Sequence, residues 1–250
     1  VDKIAFTGST DVGRAIASTV AGTKKRLTLE LGGKSPNIIF ADAAIDQAVE
    51  GIVSSIWANQ GQVCCAGSRL LVEESVADEV IEKLRLRMRS LRVGDPLDKN
   101  TDVGAINSRA QLDRIESFIK LGVAEGAQRH DVSDVALPSK GFWCKPCFFT
   151  EVQPAHTIAR EEIFGPVLAV MTFRTPDEAV ARANNTMYGL SAGIWTSRGS
   201  KAYEVARQIK AGVIWCNTFN QFDPAAPFGG YRESGFGREG GRSGLSAYCA

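Results

Sequence analysis

Cys64 and Cys65 stand side by side in WANQGQVCCAGSR (residues 57–69), a polar bend bounded by Gly61 and Gly67. A cysteine attacks carbon as the thiolate, a form that polar surroundings and convergent backbone N–H groups favour. Free cysteine is also common core filler, so the residues alone leave both readings open. Glu30 stands at the end of an apolar strand in LELGGKSP (29–36). Burial there lifts a carboxyl pKa toward the range of a general base; the alternative is a carboxylate that accepts hydrogen bonds from the glycine turn. FTGSTDVG (6–13) joins a strand to a helix, where free N–H groups and the helix dipole favour a phosphate. Its glycines are spaced G-x-x-x-x-G, without the middle glycine of a dinucleotide fingerprint or the lysine of a P-loop, so a tight turn is the competing reading.

Two further stretches resemble functional motifs and fail on context. GFWCKPCFF (141–149) carries Cys144 and Cys147 in a redox-like spacing, but Pro146 and the β-prone residues that follow continue into strand rather than opening a helix. Neither His130 nor His156 supplies a second ligand pair, so no metal site is expected. KLRLRMRSLR (83–92) interleaves arginines with leucines and follows Glu73, Glu74, Asp78, Glu79 and Glu82. That is a solvated helix, acidic early and basic late as its dipole prefers. The net charge of +1 gives no electrostatic case for nucleic acid or an anionic membrane. No apolar run reaches the ~18–20 residues of a membrane helix. Six cysteines at uneven spacing favour a reduced, cytoplasmic setting over a disulfide scaffold, although a targeting signal upstream of Val1 would be out of view.

The elements that position these residues follow from periodicity. KIAFTG (3–8) reads as a short buried strand, followed by a helix capped by Ser9 or Thr10, with Val12, Ile16, Ala17 and Val20 on one side and Gly22 as its stop. Strands are expected at 26–33 and 36–40. Ile45, Ala48, Val49, Ile52, Val53 and Ile56 then repeat at helical spacing and lead into the cysteine bend. A strand at 69–73, a helix over 75–92, a helix near 108–121 and strands at 148–152 and 166–173 follow. Thr175 and Pro176 open the next helix; SAGIWT and GVIWC are strands with a helix between, before a glycine-rich tail. Regular alternation of strand and helix makes the chain α/β with a largely parallel sheet.

Taken in order, FTGST-x-x-G, LELGGKSP, GQVCCAGSR, EEIFGPV and PFGGYRESGFGRE resemble the aldehyde dehydrogenase superfamily across essentially all 250 residues. The resemblance implies an aldehyde-dehydrogenase-like catalytic domain with a mostly parallel sheet, plus a partial Rossmann-type cofactor domain. Residues 1–33 correspond to a remnant of the dinucleotide-binding domain, 34–233 to the catalytic domain, and 234–250 to a C-terminal tail cut before the oligomerisation strand. It implies Cys64 as nucleophile, three places after Gly61, with Cys65 a packing neighbour, and Glu30 as general base. Gly8, Ser9, Gly13 and Leu31 fall at the cofactor turn, Glu162 at the nicotinamide ribose and Phe164 at the nicotinamide ring. Asn217, Phe228 and, more weakly, Phe222 fall at the aldehyde tunnel.

The reaction so implied is NAD(P)-dependent oxidation of a small-molecule aldehyde to a carboxylic acid, through a thiohemiacetal and a thioester on Cys64. Family members run to about twice this length, so the full-length protein is expected to be longer and homo-oligomeric. The residues choosing between NAD and NADP, and an asparagine completing the oxyanion hole, are expected upstream. Loss of one such donor costs on the order of 10²–10³ in rate, so the isolated chain is expected to be weakly active or inactive. A non-catalytic module of the same fold, a scaffold or a fragment of a longer chain, is the alternative.

Overall fold

The computed structural model describes residues 1–132 and 136–249. Along the chain run β1 (Lys3–Thr7), α1 (Thr10–Val20), β2 (Arg26–Glu30), β3 (Pro36–Ile39), α2 (Ile45–Ile56), β4 (Arg69–Glu73), α3 (Ala77–Arg89), α4 (Arg109–Ala124) and β5 (Gln128–Asp131). Then come β6 (Cys147–Thr150), α5 (Thr157–Arg160), β7 (Val167–Phe173), α6 (Pro176–Asn184), β8 (Ser191–Trp195), α7 (Gly199–Ala206), β9 (Val213–Cys216), β10 (Gly235–Phe236) and α8 (Gly241–Ser246).

Seven strands form one sheet in the order β5-β6-β7-β4-β3-β8-β9, parallel throughout except for the β5–β6 pair. Alternate residues of its central strands face opposite layers. Ile38, Leu71 and Phe149 point into the core covered by α4 to α7, while Ile39, Leu70, Val72 and Phe148 point into the core covered by α2 and α3. The period-3.6 spacing in α2 buries Ala48, Val49, Ile52, Val53 and Ile56, as the residues predict. Thr175 caps α6 through Glu178 N, with Pro176 at its first turn. The α/β class and the mostly parallel sheet are as expected.

A second sheet is small. β1 pairs in parallel with β2, and β10 adds to the other side of β2 antiparallel, with Gly235 opposite Glu30. β1 is an edge strand, so it is only half-buried rather than the buried strand expected. Ser9 caps α1 through Val12 N, yet the apolar stripe of α1 lies in the open. Val12 is 46% exposed, and with Ile4, Ile16 and Val20 it borders an apolar groove of about 450 Å³. The helix expected over 75–92 is shorter, preceded by a turn of 3₁₀ helix at Glu74–Val76. β5, β10 and α8 were not anticipated. Among the described residues, no helix is long and apolar enough to cross a membrane.

The glycine-rich segment before β10 is fastened by backbone contact. Gly212, in the turn entering β9, lies so close to Gly229 that a Cβ would approach the Gly229 carbonyl oxygen to 1.6 Å. Gly229 in turn lies against Glu30 Oε1. Gly212→Ala is therefore expected to destabilise the chain by about 1–3 kcal/mol in urea unfolding, since backbone has to move. Gly199→Ala, where a Cβ meets nothing within 4 Å, serves as the control and is expected to be neutral within about 0.5 kcal/mol.

Candidate active site

The chain leaves the small sheet at Glu30, the last residue of β2, and enters the large one at Pro36. Between them Gly32 and Gly33 pass through a space that admits no side chain. A Cβ on Gly32 would come to 2.2 Å from Glu162 Oε2, and one on Gly33 to 2.5 Å from the Cys64 carbonyl oxygen. Gly33 N donates to Glu162 Oε1 at 3.0 Å. The two glycines thus bring the β2 end, the cysteine bend and the segment before β7 against one another.

The cysteine bend gets its shape from backbone conformations. Asn59, Gln60 and Gly61 are all left-handed, with φ of 49°, 59° and 70°. Side-chain bonds offset the cost at Asn59 and Gln60: Asn59 Nδ2 donates to Gln62 O, and Gln60 Oε1 accepts from Gly104 N. At Gly61 a Cβ would strike the Gly165 carbonyl, so the bend also rests on the loop before β7. In that loop Phe164 too is left-handed, at φ 57°. Gln111 of α4 holds it there, donating through Nε2 to the carbonyls of Ile163 and Phe164 at 3.0 and 2.9 Å. Arg114, one turn on, donates to Glu162 O.

These segments enclose a cavity of about 780 Å³, walled by Gly8 and Ser9 after β1, by Glu30, by Cys64, and by Glu162 and Phe164. Of the residues singled out in the sequence, these six come together. Gly13 and Leu31 lie outside the lining and pack on each other, a Cβ on Gly13 reaching 2.5 Å from both Leu31 methyls. Asn217, left-handed at φ 54°, turns its amide to the backbone N and O of Thr196. Phe222 and Phe228 belong to an aromatic group with Trp215. Phe228 and Cys64 both pack on the cluster of Cys65, Leu190, Trp215 and Phe219, while Asn217, Phe222 and Phe228 lie outside the cavity lining.

The electrostatics separate the titratable groups. Glu30 is 7% exposed, and neither of its side-chain oxygens has a hydrogen-bond partner. Burial first, then the nearby Cys64 and Glu239, push its pKa up to about 8, against a smaller pull from Arg238. Cys64 moves the other way, to about 7. The Cys65 thiol is the largest cause, aided by the amides of Cys65 and Cys64 and opposed by burial and Glu162. Cys65 is 1% exposed and its own thiol is pushed up; its S–H donates to Asn220 Oδ1 at 3.4 Å. The residue expected only to pack therefore also bears on its neighbour's acidity.

Glu162 is raised by burial and drawn back by Gly33 N–H, Lys34 and Arg114. Cys144 and Cys147 are buried, with both thiols pushed up by burial, Cys144 to about 12, and Cys147 lies within β6. Among the described residues no three His, Cys, Asp or Glu side chains gather as metal ligands would. Gln111 and Arg114 also line the cavity, and the sequence reading missed them. Their one signal is an i,i+3 spacing of polar residues on α4, which equally describes a solvated helix face.

The comparisons with known proteins agree with this geometry. A family profile described as the aldehyde dehydrogenase family matches residues 1–250. The mitochondrial aldehyde dehydrogenase of Homo sapiens is 45% identical over 249 residues, covering 99% of this chain and 48% of that protein. The crystal structure of the NAD-dependent aldehyde dehydrogenase from Sinorhizobium meliloti superposes with a TM-score of 0.95 at 44% identity, over 99% of this chain and 49% of that one. The P. syringae indole-3-acetaldehyde dehydrogenase AldA, in complex with NAD+ and IAA, superposes with a TM-score of 0.95 at 41% identity, over 99% and 51%. The chain spans about half the length of the relatives it matches. It belongs to the aldehyde dehydrogenase family.

Proposed function

We propose that this chain carries the nucleophile and the general base of an NAD-dependent oxidation of an aldehyde to a carboxylic acid. The observation that carries the reading is the pairing across one cavity of Cys64, an acidic thiol, with Glu30, a buried carboxyl whose oxygens have no partner. A thiol shifted down and a carboxyl shifted up are what a nucleophile and a base working near neutral pH require.

The residues present fit a nicotinamide dinucleotide. The first N–H groups of α1, behind the Ser9 cap, open onto the cavity and suit a pyrophosphate. Gly32 offers bare backbone where any side chain would collide with Glu162. Glu162 Oε2 accepts no hydrogen bond among the described residues and suits a ribose hydroxyl, while Phe164 offers a ring face. Bound there, the cofactor supplies the hydride acceptor. NAD complexes among the related structures support this choice. The same reading gives residues 1–33 to a cofactor-binding domain and 34–233 to the catalytic domain of a longer, oligomeric protein.

The Cys64 thiolate adds to the aldehyde carbon, forming a C–S bond and an alkoxide that nearby backbone N–H groups stabilise. Once the hydride has left that carbon, the acyl group remains on Cys64 as a thioester. Glu30 takes a proton from water as the water oxygen adds to the acyl carbon. Collapse breaks the C–S bond, returns Cys64 as thiolate and releases the carboxylic acid. Trp215, Phe222 and Phe228, packed on one another and joined to the cluster on which Cys64 packs, are candidates for an apolar wall to the rest of the substrate.

Two outcomes test the reading. Alkylation of Cys64 by limiting iodoacetamide, followed by mass spectrometry, is expected to rise with pH through about 7 and to precede that of Cys65. Cys65→Ala is expected to move that midpoint upward, because it removes the largest cause of the lowered pKa. Faster labelling of Cys65 would reverse the assignment. In the full-length protein, Glu30→Gln is expected to keep a first-turnover burst of NADH and to lose steady-state rate by about 10²–10⁴. The wild-type steady-state rate should rise as pH passes about 8, where Glu30 becomes the free base. Full turnover in Glu30→Gln contradicts the role given to Glu30.

A further inference from the structure

Residues 63–66 form a β-turn closed by Ala66 N, which donates to Val63 O at 3.0 Å, with Cys64 and Cys65 as its two central residues. Cys65 turns inward. It is buried with Leu190, Trp215 and Phe219, and Ser191 Oγ donates to its carbonyl. Among the described residues Cys64 is the titratable group whose charge bears on it. The polar atom that reaches its thiol is Asn220 Oδ1, which accepts the S–H at 3.4 Å from 155 residues further along the chain. A left-handed turn accounts for asparagine or glycine at position 220, where φ is 55°. It does not account for where the amide goes. Asn217, left-handed in the same loop, turns its amide to the backbone of Thr196. Among the described residues the Asn220 side chain makes one hydrogen bond, and that is with the thiol. The loop is held on both sides of it: Phe219 is buried, and Trp215 Nε1 donates to Gln221 O at 2.8 Å.

A thiol has one proton to donate. While Asn220 holds it, the Cys65 S–H is withheld from the sulfur of the preceding residue. A thiolate is the stronger acceptor because it is charged, so loss of the Cys64 proton sets that sulfur in competition with an amide oxygen for one hydrogen. We propose that Asn220 is a positioning residue for the nucleophile: by fixing the direction of the Cys65 S–H, it restrains formation of the Cys64 thiolate. The other groups that face Cys64 act without Asn220. Glu162 opposes the thiolate from the same cavity, Glu30 is itself raised by it, and the amides of Cys64 and Cys65 favour it. The loop bearing Asn220 leads into Phe222 and Phe228, the candidate wall for the substrate, so the aldehyde side of the site and the nucleophile's neighbour meet at one amide. This rests on the reading, given above, that Cys64 is the nucleophile.

The test is the pH dependence of Cys64 alkylation by iodoacetamide in the full-length protein, with the labelled sulfur located by fragmentation in the mass spectrometer. Asn220→Gly removes the acceptor and suits the left-handed backbone. It is expected to move the midpoint down, so that labelling at pH 6 is about threefold faster while the high-pH plateau, which reads access to the sulfur, stays within about twofold. Asn220→Asp keeps an acceptor in place and is expected to return labelling at pH 6 to the wild-type rate or below it. In a Cys65→Ala background, Asn220→Gly is expected to change the pH 6 rate by less than about 1.5-fold. If Cys65→Ala does not fold, Cys65→Val gives the same reading. An unmoved or raised midpoint in Asn220→Gly overturns the proposal. So does an equal acceleration in both backgrounds, or in Asn220→Asp, which assigns Asn220 to packing of the loop. If the wild type labels Cys65 first, the nucleophile assignment falls and this proposal with it. Cys64 labelled first with an unmoved midpoint sinks this proposal alone.

Discussion

The Gly32–Gly33 link is the constraint on which the site depends. It crosses from one sheet to the other with a carboxylate on one side and a cysteine carbonyl on the other, both too near for a Cβ. Because the link is that thin, three segments far apart in sequence touch around one cavity. The Gly61–Gly165 contact does the same on the far side of the bend. Four close backbone approaches, counting Gly212 against Gly229, therefore fix where the thiol, the two carboxyls and the tail stand.

Within that frame burial acts in opposite directions on neighbouring groups. Glu30 gains no hydrogen bond to offset its desolvation, and so keeps its proton to higher pH. Cys64 receives enough donors to overcome the same penalty. The two are also coupled, because a thiolate on Cys64 raises Glu30 further. Thiolate and neutral carboxyl thus favour each other, and loss of the charge on Cys64 eases Glu30 toward its ionised form.

What was legible in the sequence was whatever a short period encodes. The apolar spacing of α2, the alternation in β2, the apolar run of β3 and the Thr175–Pro176 start of α6 need only neighbours along the chain. β5, with the sequence QRHD, has no apolar alternation and exists because β6 offers an edge. β10 is two residues long and is defined by its pairing with β2. The apolar face of α1 was legible as a pattern, but its exposure was not, since burial depends on what packs there and a pattern does not say. At the site, Cys64, Glu30, Gly8 and Ser9 stood out because reactive groups and glycine turns are conspicuous, whereas Glu162 and Phe164 came only from the family resemblance. Gln111 and Arg114 did not, because a polar side chain that serves a neighbour's backbone looks like any surface residue until the neighbour is known.

The placement of the thiol has an electrical consequence. The large-sheet side of the cavity is built from segments that precede strands, Cys64 before β4 and Tyr188 before β8. Helices reach that edge with their carbonyl ends, α2 running into the cysteine bend and α6 into the Tyr188 segment. Those ends carry partial negative charge. A thiolate there gains nothing from a helix dipole, unlike a cysteine at a helix start. Its acidity is set locally, by Cys65 and the amides of the bend. What stands at position 65 and the backbone beside it, rather than the helices around it, thus governs how readily Cys64 loses its proton.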